Sequence, residues 1–309
     1  MGKAVGAAML LSVLPKHLPH AMIATSLAIG VFVSVYIRLS HRVRLSRLII
    51  GSLLLFSLSF LVLWRLSSGP GRLVYPVVYV WVSVMGAMGP TMGWTLANYV
   101  LTTREARRVF GFIGAGGILG GTFGGFLTRS ATRAHVRPDA LLLAVAGALG
   151  TAALLVAFLL RSSERSLALQ APASGQKAPR NLGQSLNLIL DSPYLLLITA
   201  LIGTSCAATT VVDYQFNMIA ASSFAGDKVR LAAFFGSFYG YMGLAASLVQ
   251  LLLTGRLLRS YGIRLTLYVL PAALVFGSTA VLLTPLLLTA GLLRGSHYLL
   301  RYSLDRSSA

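Results

Sequence analysis

The sequence predicts an all-α integral membrane protein. Of its 309 residues, 56% are hydrophobic and only 11% charged, and the mean hydropathy is +0.78, which is more apolar than one water-soluble core can bury. Apolar stretches close to the ~20 residues that cross the hydrocarbon recur along the chain. Strand-like alternation is absent, and lipid offers backbone groups no partner, so these stretches must be helices.

Nine apolar segments follow one another, separated by short basic interruptions. Their approximate bounds are 21–37, 48–64, 73–101, 109–128, 139–160, 193–220, 231–254, 265–283 and 284–304. The apolar run before Pro15 faintly resembles a signal peptide, but it lacks a small-residue cleavage pattern. We therefore expect no removal of a leader.

The net charge of +19 arises from 26 Lys and Arg against 7 Asp and Glu. These cations lie between apolar segments and form no basic-aromatic strip of the kind that binds bases, so no nucleic-acid partner is expected. The loops around Arg42, Arg107, Lys177 and Arg259 hold 14 Lys and Arg, whereas the alternate loops hold 7. The richer loops are predicted to be cytoplasmic, in a multi-pass protein of a bacterial inner membrane with the lipid bilayer as a partner.

A polar segment rich in Pro, Gly and Ser, residues 162–184, is predicted to be a cytoplasmic linker. It separates residues 1–161 from residues 185–309, and an offset of 218 residues aligns Arg256 with Arg38. This favours two halves related by a parallel repeat. The same offset predicts about nine of twelve transmembrane helices, with the first helix and the last two lacking. A truncated reading frame and a degenerate product both remain open.

The stretch "TTREARRVFGFIGAGGILGGTFGGFLTRS", residues 102–130, could be a phosphate-binding loop or a membrane helix. No strand precedes it, and its glycine spacing does not match the G-x-G-x-x-G pattern. Two ridges of glycines at intervals of four residues instead predict close helix packing. They are Gly116, Gly120 and Gly124, and Gly117, Gly121 and Gly125.

Three blocks resemble a known family. They are "WTLANYVLTTREARRVFGFIGAGGILGG" (94–121), "VVDYQFNMIAASSF" with the following residues 231–262, and "LLRYSLDR" (299–306). The first is similar to the F-W-x-x-A-N and E-A-K-R region of the ATP/ADP translocase family of plastids and intracellular bacteria. The chain is still more similar to bacterial relatives of that family with a major-facilitator-like fold.

The resemblance implies a twelve-helix antiporter architecture with a site between its halves. Glu105 matches the acid of E-A-K-R, and Asp213 falls where the translocases have a functionally important Glu. Asn217 stands where a Lys is usual, and the Lys of the family's first helix has no counterpart. Both departures remove positive charge that would face a nucleotide.

Charged residues inside apolar segments indicate a candidate substrate site. Asp213 lies well inside 193–220, where an ionised group costs at least ~2.5–3.5 kcal/mol unless it faces a cavity or a cation. Arg294, His297 and Arg301 share one helix face at i, i+3 and i+7. We expect Arg294 and Arg301, opposite Asp213, to form an anion-facing site to which Asn217 and His297 also belong. The alternatives are an interfacial carboxylate and arginines that extend to the membrane surface.

Glu105, Arg107 and Arg108 are candidate gating residues at the predicted cytoplasmic end, the alternative being a solvated helix start. No catalytic constellation, metal site or cofactor motif is recognised, so the protein is not expected to be an enzyme. The predicted function is secondary transport of an anionic or phosphorylated solute, with a nucleotide as one candidate. The alternative is a non-transporting membrane scaffold, a sensor or a degenerate transporter fragment.

Overall fold

The computed structural model describes residues 1–40, 42–67, 69, 71, 73–167, 190–249, 291, 294 and 295. These residues form eight α-helices and two short 3-10 turns, Pro15–His17 and Pro138–Ala140, with no strand among them. The helices, numbered α1 to α8 in chain order, are Gly2–Val13, Leu18–Ser40, Leu45–Ser67, Val74–Val100, Thr103–Arg133, Leu141–Leu167, Pro193–Ser223 and Lys228–Val249.

Seven of the described helices, α2 to α8, are long and apolar enough to cross a membrane. The first seven predicted segments fall on these helices, which confirms the all-α membrane fold class. Segments 265–283 and 284–304 lie outside the described residues, apart from residues 291, 294 and 295. Helix α6 continues to Leu167, into the first residues of the predicted linker, and residues 168–184 of that linker also lie outside the described part.

Helix α1 is not among the nine predicted segments, although its residues were recognised as an apolar run. The run folds into a short helix that ends before Pro15, which has no backbone N–H to continue it. Every residue from Ala4 to Leu11 is buried. Val5 and Met9 belong to a buried cluster with residues of α3, α4 and α6, whereas Leu10 and its neighbours belong to a cluster with residues of α7 and α8. Helix α1 thus fills the space between the helices that precede residues 168–189 and those that follow.

The packing of α3 on α4 and α6 is fixed by aromatic side chains and by hydrogen bonds between helices. The Trp81 indole N–H donates to the Ser59 hydroxyl at 2.6 Å, and the Ser57 hydroxyl donates to the carbonyl oxygen of Ala146 at 2.8 Å. The ring of Phe56 lies 5.4 Å from that of Trp81. In lipid, such bonds and close packing replace the hydrophobic effect as the source of helix association.

Helices α5 and α8 meet along a seam of glycines. A Cβ on Gly125 would lie 2.5 Å from the backbone nitrogen of Gly240, and one on Gly236 would lie 2.9 Å from the carbonyl oxygen of Gly125. The rings of Phe126 and Tyr241 cross edge to face at 5.2 Å beside this contact. The seam joins a helix that precedes residues 168–189 to one that follows them.

Candidate functional site

A polar cavity of about 580 Å³ lies among α1, α2, α4, α7 and α8. The wall therefore combines helices that precede residues 168–189 with helices that follow them. Its polar and charged wall residues are Lys3, Thr25, Ser26, Tyr79, Ser83, Thr210, Asp213, Asn217, Tyr239 and Arg294.

Asp213 and Arg294 form an ion pair in the cavity wall, between the carboxylate Oδ1 and the guanidinium Nη1. The Arg294 side chain is only 9% exposed and that of Asp213 is 28% exposed. A charge at this depth is stabilised by a partner of opposite sign, because water is not freely available to solvate it. The structure thus brings together the acid and the arginine that the sequence analysis assigned to one site. Their role in binding a solute stays a prediction.

Asn217 lies one helical turn beyond Asp213 on α7 and is 8% exposed. Its side-chain Nδ2 donates to the backbone carbonyl oxygen of Asp213 at 2.8 Å. No described residue donates to its buried Oδ1. Asn217 therefore presents a hydrogen-bond acceptor at the cavity wall, where the resemblance implies a lysine. His297 and Arg301 lie outside the described residues.

Lys3 is a cavity residue that the sequence analysis did not identify. It lies in the first turn of α1, and its Cε would be 3.5 Å, an ordinary van der Waals distance, from a Cβ placed on Gly86, so the lysine side chain lies beside α4. The sequence analysis found no counterpart of the family's first-helix lysine, whereas the structure has a cation, Lys3, on its first helix. In the sequence, the only indication of this position was a lysine at the start of an apolar run. The same pattern is found in signal peptides, so it does not identify a cavity residue.

A second cavity of about 560 Å³ adjoins the polar one, and Lys3, Gly86, Tyr239 and Arg294 line both. Most of its wall is apolar. The remaining wall residues include Phe60, Met85, Phe123, Leu127, Val145 and Leu149. The two cations thus lie at the boundary between a polar and an apolar chamber.

Glu105 caps the start of α5 in a reciprocal arrangement with Thr102. The Glu105 carboxylate accepts from the backbone N–H of Thr102 at 3.0 Å and from its hydroxyl at 2.7 Å, while the Glu105 backbone N–H donates to that hydroxyl. The backbone bond from Thr102, and then the hydroxyl bond, lower the pKa of Glu105 below its ordinary value of 4.5. Arg108 is exposed, and nothing is described of the Arg107 side chain. The capping box favours a helix-start role for Glu105, and a gating role stays a prediction.

The six glycines of the two predicted ridges on α5 differ in their surroundings. A Cβ on Gly125 would collide with the backbone of α8, and one on Gly124 would lie 3.2 Å from the Met1 nitrogen. A Cβ on Gly116, Gly117 or Gly120 would meet nothing within 4 Å. The second cavity is lined by Gly120, Gly121 and Gly124. Close approach is therefore concentrated at the later glycines of the two ridges.

Asp139 is a buried acid that the sequence analysis also missed. It lies in the turn before α6, is 4% exposed as a residue, and pairs with Lys228 at the start of α8 and with Arg137 at 3.2 Å. The Lys228 ammonium also lies 5.1 Å from the centre of the Tyr75 ring. Asp139 begins a predicted segment, where an acid is ordinarily solvated, so the sequence carried no signal of its burial.

The family profile that matches the chain is that of the Major Facilitator Superfamily, over residues 5–301. The chain belongs to this superfamily. No curated protein and no solved structure matches it. Members of the superfamily are transporters, and the match together with seven apolar helices defines a multi-pass membrane protein of the major facilitator type.

Proposed function

We propose that this protein is a secondary transporter that carries a small anionic solute through the polar cavity. The observation that carries the proposal is the charge of the cavity wall, in which Lys3 and Arg294 are cationic and Asp213 is the one acid among the described wall residues. A cavity with this balance attracts an anion, and its limited contact with water strengthens the attraction. Membership of a transporter superfamily supports movement of the solute rather than its chemical conversion.

The ion pair suggests how Arg294 serves the empty and the loaded transporter. In the empty cavity Asp213 compensates the guanidinium, whose charge would otherwise be costly in a buried position. An arriving carboxylate or phosphate competes for the same planar donor group, which matches two oxygens at once. The solute then replaces Asp213 as the partner of Arg294, and rocking of the two helix groups exposes it on the other side.

The resemblance to ATP/ADP translocases supports a phosphorylated solute, with nucleotides as one candidate class. Lys3 supplies one cation on the first helix. The acceptor oxygen of Asn217, in place of a lysine, disfavours a highly charged triphosphate. We therefore propose that the solute is a small anion with one strongly charged group. The protein is proposed to lie in a bacterial inner membrane with its basic loops on the cytoplasmic side.

Uptake by proteoliposomes that contain the purified protein tests this function. Labelled gluconate, glucose 6-phosphate, ADP and ATP form the panel, and Arg294→Gln is compared with Arg65→Gln, an exposed arginine of α3 that lies outside both cavities. Loss of one charge-assisted hydrogen bond predicts at least about a tenfold fall in uptake for Arg294→Gln and no change for Arg65→Gln.

Two results would count against the proposal. Uptake of no anion by the wild-type protein would remove the transport function, and binding without uptake would favour the scaffold or sensor. Equal uptake by Arg294→Gln and Arg65→Gln, at equal protein content, would remove Arg294 from the site.

A further inference from the structure

We infer that the transported anion carries several hydroxyl groups, as a sugar acid or a sugar phosphate does. The inference rests on the proposed function and specifies the solute of the same cavity. Its basis is the direction of the hydrogen bonds in the cavity wall, because that direction determines whether the wall offers donors or acceptors to a solute.

The serine and threonine hydroxyls of the described cavity wall all donate their protons to their own helices. Each bonds to the carbonyl oxygen four residues earlier, over 2.8–3.2 Å. These residues are Thr25, Ser26, Ser83 and Thr210. A hydroxyl has one proton and two acceptor lone pairs, so a hydroxyl bonded in this way presents only acceptor capacity to the cavity.

Two residues of α7 add further acceptors. The Asn217 amide uses its Nδ2 on the carbonyl oxygen of Asp213, and its buried Oδ1 has no described donor. The Asp213 carboxylate, when ionised, can only accept. The described wall therefore combines these six acceptor groups with the cationic donors Lys3 and Arg294 and with the hydroxyls of Tyr79 and Tyr239, which can donate or accept.

The solute that complements this wall carries hydroxyl donors and one anionic group. Its carboxylate or phosphate pairs with the cations, and its O–H groups donate to the acceptors that water occupies in the empty cavity. An alkyl anion of similar size and equal charge would displace that water without offering a hydrogen-bond donor in its place. It would therefore bind more weakly than the hydroxylated anion. For the same reason, a site that forms a hydrogen bond with a substrate hydroxyl strongly rejects an analogue that lacks this hydroxyl.

Matched pairs of ligands test the inference by isothermal titration calorimetry on the full chain in detergent. Gluconate is compared with hexanoate, and glucose 6-phosphate with hexyl phosphate, so that each pair shares its number of carbon atoms and its anionic group. The hydroxylated member of at least one pair is expected to bind at least about tenfold more tightly than its alkyl partner. Equal or tighter binding of the alkyl members would overturn the inference of a hydroxylated solute. The proposed function, transport of a small anion, would be unaffected by that result. Binding of no anion, or of sorbitol as tightly as gluconate, would overturn the proposed function as well.

A pair of double variants links the effect to the cavity wall. Ser26→Ala with Ser83→Ala removes two acceptors, whereas Ser34→Ala with Thr91→Val removes hydroxyls with the same helix bonds on α2 and α4 but outside the cavity. The first is expected to raise the Kd of gluconate at least about fivefold and leave that of hexanoate unchanged. The second is expected to change neither. An equal loss of both ligands would overturn the inference, and thermal unfolding of the empty protein checks that both variants are folded.

Discussion

At the scale of single residues, Asp139 and Lys228 join two parts of the chain that are 89 residues apart. The Asp139 side chain is 6% exposed and that of Lys228 is 22% exposed, so neither charge is fully solvated. The second partner of Asp139, Arg137, is 75% exposed. Most of the compensation of the buried carboxylate therefore comes from Lys228, which ties the turn before α6 to the start of α8.

Lys228→Ala is expected to destabilise the protein by about 3 kcal/mol, because it leaves a buried carboxylate with only an exposed partner. Arg230→Ala is the control. It removes a pair with Asp227 that is exposed on both sides, which is worth less than about 1 kcal/mol. Thermal unfolding in detergent compares the two. Equal melting temperatures would contradict the role of Lys228 as the main partner of Asp139. Lys228→Met combined with Asp139→Asn should recover most of the lost stability.

Asp139 and Asp213, the two acids that form ion pairs between helices, differ in how far sequence reasoning could anticipate those pairs. Asp213 lies inside an apolar segment, where the cost of an isolated charge requires a cation nearby, and cations inside such segments are few. The pairing with Arg294 could be inferred on that ground. Asp139 lies at the edge of a segment, where water can reach it in most folds. Its burial depends on the packing of α1, α3 and the first turn of α8 against that edge.

At the scale of helices, the contact between α5 and α8 depends on the lack of a side chain at Gly125. Gly125→Ala is expected to cost about 3 kcal/mol, since its Cβ would meet the backbone of α8, which cannot rotate away. Gly117→Ala should instead be neutral or stabilise the helix by up to about 1 kcal/mol, because nothing lies within 4 Å and alanine favours helix. Thermal unfolding measures both changes. A similar effect of the two variants would show that the seam is not a close contact.

The spacing of the α5 glycines predicts two ridges but not which part of each ridge meets a partner. A repeat of four residues is a property of one helix, whereas the point of contact depends on where α8 crosses it. The seam is completed on α8 by Gly236, Gly240 and Gly243. Their spacing identifies a helix contact only when it is known that α8 packs against the glycines of α5. The capping box of Thr102 and Glu105, in contrast, does not depend on another helix, because both partners lie within one helical turn.

At the scale of the whole molecule, the charge of the loops predicts its orientation in the membrane. In a Cys206→Ala background, Arg104→Cys is expected to be cytoplasmic and Arg230→Cys external, because alternate loops carry 14 and 7 basic residues. A membrane-impermeant maleimide should label Arg230→Cys in intact cells and Arg104→Cys only after permeabilisation. Labelling of both positions from one side would contradict the topology and the assignment of the basic loops.

The match to the Major Facilitator Superfamily and the observed helices agree with the predicted class of membrane protein. The predicted division at residues 162–184 stays a prediction, as do the roles of His297 and Arg301. The principal difference lies in α1, whose burial between two helix clusters brings Lys3 to the cavity. A run of 12 residues is shorter than a transmembrane helix, and hydropathy alone cannot distinguish a buried helix from a signal segment.

The sequence by itself determined the class of the protein and its first seven apolar segments, because both depend on the thickness of the hydrocarbon and on the lack of backbone partners in lipid. Only the tertiary structure decided which helices surround the cavity, which glycines make close contact and which charges lose their water. These properties depend on residues as far apart as Lys3 and Arg294, and the apolar pattern of each helix says little about its neighbours because lipid and protein interiors are similarly apolar.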